Sequence, residues 1–203
     1  MNNVILSQLI CTRISHDLIG NAGALSNALE LMEDDDMEFW SDIKKIISAS
    51  SSVLSARMRF FRLTFGLDNT ALFDNKTVFS AINDYLKTLG NMTNVYDFAA
   101  ENTLPEHNRA ILLSVMILAD FTLKGGEIKT CYENENLWVA ISTEKGFSED
   151  KIAAVKAIIS GSDNYNTDAQ YAHIMCLKEL LGQKGRINLI QNEKETVVFQ
   201  IKF

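Results

Sequence analysis

The first 66 residues contain no proline, and their apolar side chains recur at the spacing of long helices. Proline interrupts helices, so its absence leaves this segment free to form long ones. In the first half the apolar positions lie mostly three, four or seven residues apart: Val4, Cys11, Ile14, Leu18, Leu25, Leu29 and Met32. A second apolar stripe begins at Phe39, after the acidic run at 33–36, and ends near Gly66. These patterns predict a hairpin of two long helices.

A single helical hairpin cannot enclose the apolar stripes on both of its faces. Pairing with a second copy would bury them in a four-helix bundle, because each stripe would then be covered by another. We therefore expect residues 1–67 to form a dimerisation domain and the protein to be a homodimer.

From residue 68 onward, segments with helical and strand patterns alternate. We expect helices at 78–89, 108–123, 148–159 and 167–181, and strands at 94–100, 127–132, 137–143, 185–191 and 196–203. Short strands interleaved with helices are typical of an α/β sandwich, with helices on one face of a mixed sheet. The sequence thus predicts an α+β fold, with the hairpin first and the sandwich over residues 68–203.

Composition narrows the possible functions. The formal net charge of −7 disfavours binding to nucleic acid or to an anionic membrane surface. The three cysteines are widely spaced and form no CxxC pair, so we expect neither a disulfide framework nor a metal site. The apolar stretch near the N-terminus is interrupted by Arg13, His16 and Asp17, too early for a signal peptide or a membrane span. We expect a cytoplasmic protein.

His16 is the residue that suggests chemistry. On a helix, Ile14 and Leu18 lie about 200° away from it, so the imidazole is expected to point into solvent. Its own face carries these residues: Leu9, Thr12, Arg13, Gly20, Gly23 and Asn27. Each glycine inside a helix costs about 1 kcal/mol relative to alanine. One explanation is that a partner must approach the backbone beside His16.

A neutral imidazole is a nucleophile near neutral pH and can carry a phosphoryl group transiently. Asp17 follows His16 directly; neighbouring residues do not face each other on a helix, so we expect it to accept a proton or steer the donor and not to fix the ring. Helical phase by itself does not distinguish a phosphoacceptor from an ordinary surface histidine.

Arg57 and Arg59 are expected at the level of His16 if the hairpin turns near residues 35–36. They would then either meet a phosphoryl group or an acidic partner, or cover apolar surface with their stems. The sequence leaves both interpretations open.

Three strings carry a family resemblance. Residues 13–19, Arg-Ile-Ser-His-Asp-Leu-Ile, resemble the phosphoacceptor box of the ChpT-type histidine phosphotransferases of alphaproteobacteria. Residues 23–31 and 60–66 are similar to two further strings of that family, in the same order. The resemblance implies that His16 is the phosphoacceptor and that the second region is a degenerate histidine-kinase ATPase-like domain. It also implies a phosphorelay in two-component signalling.

The partners implied are receiver domains of a hybrid histidine kinase and of response regulators. We expect them to dock around His16, with Asp17 as an auxiliary group. The expected docking residues are Arg13, Ile19, Gly20, Gly23, Asn27, Arg57 and Arg59.

ATP binding is not expected. A kinase-type nucleotide site needs an Asn on its first long helix and an Asp in a glycine-rich loop, but residues 110–120 contain no Asn and the loop at 144–147 contains no Asp. We therefore predict a phosphotransfer protein without ATP-dependent kinase activity and without a cofactor. Two alternatives remain: an active ATP-dependent histidine kinase, and a dimeric adaptor that never takes phosphate.

Overall fold

A computed structural model of the 203-residue chain describes residues 2–33, 39–98, 104–133, 136–162, 164–165, 167–192 and 195–203. The chain starts with two long helices, α1 at Asn3–Glu33 and α2 at Trp40–Phe65, which pack against each other as the predicted hairpin. Four further α-helices follow among these residues: α3 at Asn75–Lys87, α4 at Pro105–Phe121, α5 at Glu149–Ile159 and α6 at Ala172–Leu181. Short 3-10 turns lie at Thr70–Phe73 and Ala169–Tyr171.

The strands of the described residues form one mixed sheet. They are β1 at Met92–Phe98, β2 at Gly126–Glu133, β3 at Asn136–Ser142, β4 at Arg186–Asn192 and β5 at Thr196–Lys202. Their spatial order is β1-β2-β3-β5-β4; β1 and β2 are parallel, and the other neighbours are antiparallel. Alternate residues of β3 and β5 are buried, as expected for strands covered by helices on one face. The predicted α+β fold is confirmed.

The second half of α2 joins the hairpin to residues 68–203, which contain the sheet and are called the sheet region below. Phe60 is fully buried and its ring stacks on Tyr85 of α3 with 3.9 Å between the ring centroids. Phe61 and Leu63 are buried in the same cluster, and Leu9 of α1 enters it from the other helix. The buried core therefore continues across residues 67 and 68, and the division of the chain there into two domains stays a prediction.

Several element boundaries differ from the predicted ones; α3, for example, runs from Asn75 to Lys87 and not over 78–89. Residues 167–181 were expected to form one helix, but α6 begins only at Ala172, because the Asp168 side chain accepts a hydrogen bond from the Gln170 amide and closes a separate 3-10 turn. Strand β1 starts two residues earlier than predicted, and residues 99–100 of that prediction lie outside the described residues. Helix α4 starts at Pro105, which supplies a favourable first helical position.

Among the helices that the structure describes, none has both the length and the apolar character that crossing a membrane requires.

Candidate functional site

His16 lies in the middle of α1, and its side chain is 86% exposed. The predicted orientation into solvent is therefore confirmed. The face it occupies is nevertheless not open along its whole length. Leu9, two turns before His16 on the same face, is buried in the core, so this face is covered in its N-terminal part.

On the C-terminal side of His16, α1 presents an exposed face on which two glycines leave the helix backbone accessible. Ile19 is an exposed large apolar side chain, and Gly20, Gly23 and Asn27 are exposed as well. Apart from the helix backbone, no atom of the described residues lies within 4 Å of the position that a Cβ would take at Gly20 or Gly23. We call His16, Ile19, Gly20, Gly23 and Asn27 the α1 surface strip.

Arg13 is not part of this exposed strip. Its side chain is only 13% exposed, and its guanidinium binds three groups. Nε donates to Oδ2 of Asp17 at 3.0 Å, Nη2 pairs with the Asp120 carboxylate at 2.9 Å, and Nη1 donates to the carbonyl of Gln170 at 3.3 Å. Arg13 therefore ties α1 to the end of α4 and to the 3-10 turn before α6.

The Asp17 carboxylate is held close to the imidazole. Its Oδ1 lies 3.6 Å from Nδ1 of His16, longer than a hydrogen bond but close enough for electrostatic contact. No hydrogen bond fixes the ring to Asp17, in agreement with the expectation for neighbouring residues on a helix. The carboxylate lies close to the ring because Arg13, one turn earlier, holds its other oxygen.

Arg57 and Arg59 occupy different surroundings. Arg57 donates to the backbone carbonyl of Asp17 and from Nε to the hydroxyl of Thr88, so it lies at the level of the site and is engaged within the chain. Arg59 pairs with Asp84 of α3 at 3.2 Å, and the structure does not bring it together with His16.

A cleft of about 400 Å³ opens beside His16, on the side of the sheet region. Besides α1 residues, its lining contains Ala169 and four residues with polar side chains: Asp120, Lys151, Asp168 and Gln170. Sequence analysis missed these four, because Asp120 and Gln170 lie 107 and 157 residues from Arg13 along the chain. One signal was present: Asp120 is the charged residue that ends the long apolar run of α4.

Asp120 is surrounded by groups that fix it. Lys151 of α5 donates from Nζ to its backbone carbonyl at 2.9 Å, and Nε2 of His173 lies 3.5 Å from its carboxylate. Burial lowers the pKa of His173 to about 4, although the Asp120 carboxylate opposes this shift. For Arg13, burial alone would lower the pKa, but the Asp120 and Asp17 carboxylates outweigh it and raise the pKa above its ordinary value.

Asn108 is the asparagine that α4 carries. It lies in the first turn of the helix, just before the stretch 110–120 that contains no Asn. Its amide nitrogen is fully committed, donating to the carbonyl of Leu72 at 2.7 Å and to the side chain of Asn75 at 2.8 Å. Over the described ranges, no group of three or more His, Cys, Asp or Glu side chains is placed to hold a metal ion.

No protein-family model matches the chain, but it is similar to a curated protein and to solved structures. A stretch of 66 residues is 39% identical to the protein phosphotransferase ChpT of Brucella abortus (strain 2308), and the match spans 32% of this chain and 31% of that protein. A solved structure of a bacterial phosphotransferase superposes with a TM-score of 0.81, covering 100% of this chain and 98% of that one at 20% identity.

The chain resembles a ChpT-type phosphotransferase. The resemblance expected from the sequence is thereby confirmed, and at 20% identity the structural match shows the shared fold alone. The Acinetobacter baumannii histidine kinase AdeS matches with a TM-score of only 0.43 over 92% of this chain and 95% of that one, at 15% identity.

The two glycines of the α1 surface strip should be replaceable by alanine. Because both sit in regular helix with free space around them, Gly20→Ala and Gly23→Ala should each raise the free energy of unfolding by up to about 1 kcal/mol. Gly66→Ala is the matched control: its Cβ would overlap the Arg62 carbonyl oxygen, so it should destabilise. Urea unfolding of the three variants tests this, and a loss of stability in both helix variants would contradict it.

Burial of His173 should make the fold sensitive to acid. In the unfolded chain its imidazole takes up a proton near pH 6.5, but in the folded protein only near pH 4, so between these values the unfolded state binds more protons and is favoured. Stability should therefore fall as the pH falls from about 6.5 to 4. Glutamine cannot be protonated in this range, so the stability of His173→Gln should decrease less at low pH than that of the wild type. Some decrease should remain, because burial also lowers the pKa of His107. The urea midpoints of both proteins at pH 7 and pH 5 measure this loss of stability. An equal loss between the two pH values in wild type and variant would contradict the prediction.

Proposed function

We propose that the protein is a histidine phosphotransferase that relays phosphoryl groups between receiver domains through His16. The observation that carries the proposal is the exposed imidazole of His16, with a carboxylate beside Nδ1, in the string that resembles a known phosphoacceptor box. Similarity to the Brucella abortus phosphotransferase over 66 residues supports it. The match covers about a third of that protein, and the transfer activity is proposed on the site itself.

The arrangement suits attack by the nitrogen that faces away from Asp17. Contact between the carboxylate and Nδ1 favours a proton on that nitrogen, which leaves the lone pair on Nε2 as the nucleophile. As the P–N bond forms, the P–O bond to the donor aspartate breaks and its electron pair leaves with the donor carboxylate. The ring then bears a positive charge, which Asp17 stabilises or relieves by accepting the Nδ1 proton.

The α1 surface strip is where we place the approaching receiver domains. Gly20 and Gly23 lower the helix surface without any local packing need, since open space surrounds both. Ile19 offers an exposed apolar contact between His16 and these glycines. Arg13 and Arg57 support the site from within the chain, through the hydrogen bonds described above.

We further propose that residues 1–67 form a dimerisation and phosphotransfer unit and residues 68–203 the α/β unit. Outside the α1 surface strip, the hairpin of one chain leaves further large apolar side chains exposed: Val4, Ile5, Leu29, Leu31, Phe39, Ile46 and Met58. A set of this size is unusual for the surface of a monomer. A second hairpin packed against it would complete a four-helix bundle.

His16→Ala should take up no phosphoryl group. The side chain is exposed, so the variant should fold as the wild type does. We expect incubation of wild-type protein with a phosphorylated receiver domain to give an acid-labile label on His16, and the variant to give none.

His107→Gln is the matched control, because this histidine is buried away from the α1 surface strip and packs against Tyr132 and Phe203, and the variant should label normally. Labelling of His16→Ala at the wild-type rate would refute the proposal. A folded wild-type protein that is never labelled by any receiver domain would favour the adaptor function instead.

Dimer formation should depend on the hairpin. Leu29→Glu and Ile46→Glu place a charge among the exposed apolar side chains and should convert a dimer to a monomer. Ile190→Glu, at a half-exposed apolar position on the outer face of β4, is the control and should stay dimeric. Sedimentation equilibrium at micromolar concentration measures this; a monomeric wild-type protein would contradict it.

A further inference from the structure

We propose that Asp120 of α4 is a positioning residue for the phosphoacceptor: it holds Arg13, and Arg13 holds the Asp17 carboxylate beside Nδ1 of His16. This inference rests on the proposed function and assigns the sheet region a part in the chemistry. It concerns a residue that touches neither the imidazole nor an incoming phosphoryl group, so its effect must pass through Arg13.

Arg13 couples the positions of the Asp17 and Asp120 carboxylates. One guanidinium bridges two carboxylates, with Nε on Asp17 at 3.0 Å and Nη2 on Asp120 at 2.9 Å. Its side chain is 13% exposed, so water competes little for these contacts. A planar guanidinium with donors in fixed directions cannot turn to one carboxylate without turning relative to the other. The position of Asp120 therefore sets the direction in which Nε meets Asp17.

Asp120 itself is fixed from several sides. It lies near the end of α4, whose preceding residues are buried in the core. The Nζ of Lys151 holds its backbone carbonyl, and His173, buried and neutral near pH 7, lies against its carboxylate. Such surroundings leave the carboxylate few alternative positions.

Asp17 needs this support. A carboxylate without a fixed partner samples several rotamers, and neighbouring residues on a helix do not face each other, so without Arg13 the Asp17 carboxylate would leave the ring for much of the time. Arg57 fixes the backbone carbonyl of Asp17, but it does not hold the carboxylate. Of the contacts that the structure gives the Asp17 carboxylate, the one from Arg13 orients it toward His16.

The test measures how fast His16 is loaded by a phosphorylated receiver domain, using full-length protein at saturating receiver concentration. Asp120→Asn removes the charge but keeps the shape, and should slow loading by about tenfold. Arg13→Lys keeps the cation but cannot bridge both carboxylates, and should slow loading to a similar extent. Because it retains the buried charge, Arg13→Lys also provides a folded variant if Asp120→Asn is unstable.

Asp84→Asn is the matched control. It breaks an Asp–Arg pair of comparable length, between α3 and Arg59 of α2, away from the imidazole. Loading should stay at the wild-type rate. Slowing equal to that of Asp120→Asn would mean that loss of any such pair disturbs the protein, and would overturn the inference.

A double-variant cycle separates positioning from general structural support. If Asp120 acts only through Asp17, Asp120→Asn should cause no further slowing in an Asp17→Ala background. Slowing by the same factor in both backgrounds would overturn the inference.

The ring nitrogens of His16 give an independent signature. Their ¹⁵N chemical shifts distinguish a proton on Nδ1 from one on Nε2 in the neutral imidazole. The Nδ1–H form should predominate in the wild type and decrease in Asp120→Asn and Arg13→Lys. An unchanged tautomer ratio in both variants would overturn the inference.

The two proposals fail in different ways. If wild-type protein acquires no label on His16, the proposed function fails. If wild-type protein is labelled but Asp120→Asn and Arg13→Lys are loaded at the same rate as wild type, the function stands and only the role of Asp120 is refuted.

Discussion

The ion pairs of Arg13 determine how the two parts of this chain meet. A guanidinium removed from water is costly unless its donors are satisfied, and here Asp17, Asp120 and the Gln170 carbonyl satisfy them. These partners come from α1, α4 and the 3-10 turn before α6, so a shift of any one segment would leave a buried charge short of a partner. The apolar contacts of Leu9 and Phe60 bring the segments together without fixing their relative orientation, because hydrophobic contact is non-directional. The ion pairs of Arg13 fix that orientation.

Helix α1 changes its surroundings at His16. Before this residue, Leu9 and Arg13 are covered by the sheet region; after it, Ile19, Gly20 and Gly23 lie open. An imidazole at this boundary gains a fixed electrostatic environment from one side and free access from the other. A phosphoacceptor needs both, because the nucleophilic nitrogen must be unprotonated and aligned while a whole protein domain approaches it.

Most of the fold could be predicted from the sequence because it follows from local patterns. Helical spacing gave the hairpin, and alternation gave the strands, since both depend on residues a few positions apart. The surroundings of His16 could not be predicted in the same way. Helical phase placed Arg13 and Leu9 on the exposed face with His16, but phase describes one helix and not what packs on it. Asp120, one partner of Arg13, is 107 residues away, and its isolated charge after an apolar run is the one local feature that could have indicated it.

The α/β region, residues 68–203, supports the site through these contacts. Without residues 68–203, Phe60 and Leu9 would lose the core that buries them, and Arg13 would lose Asp120 and Gln170. Arg13 would then interact with Asp17 as an exposed pair one turn apart, which contributes only a few tenths of a kcal/mol and holds no single geometry. Asn108 has a comparable internal task, because its amide ties α4 to Leu72 and Asn75. Side chains at the end and the start of α4 thus both serve the attachment of this helix to its surroundings, and that attachment fixes the environment of the exposed imidazole.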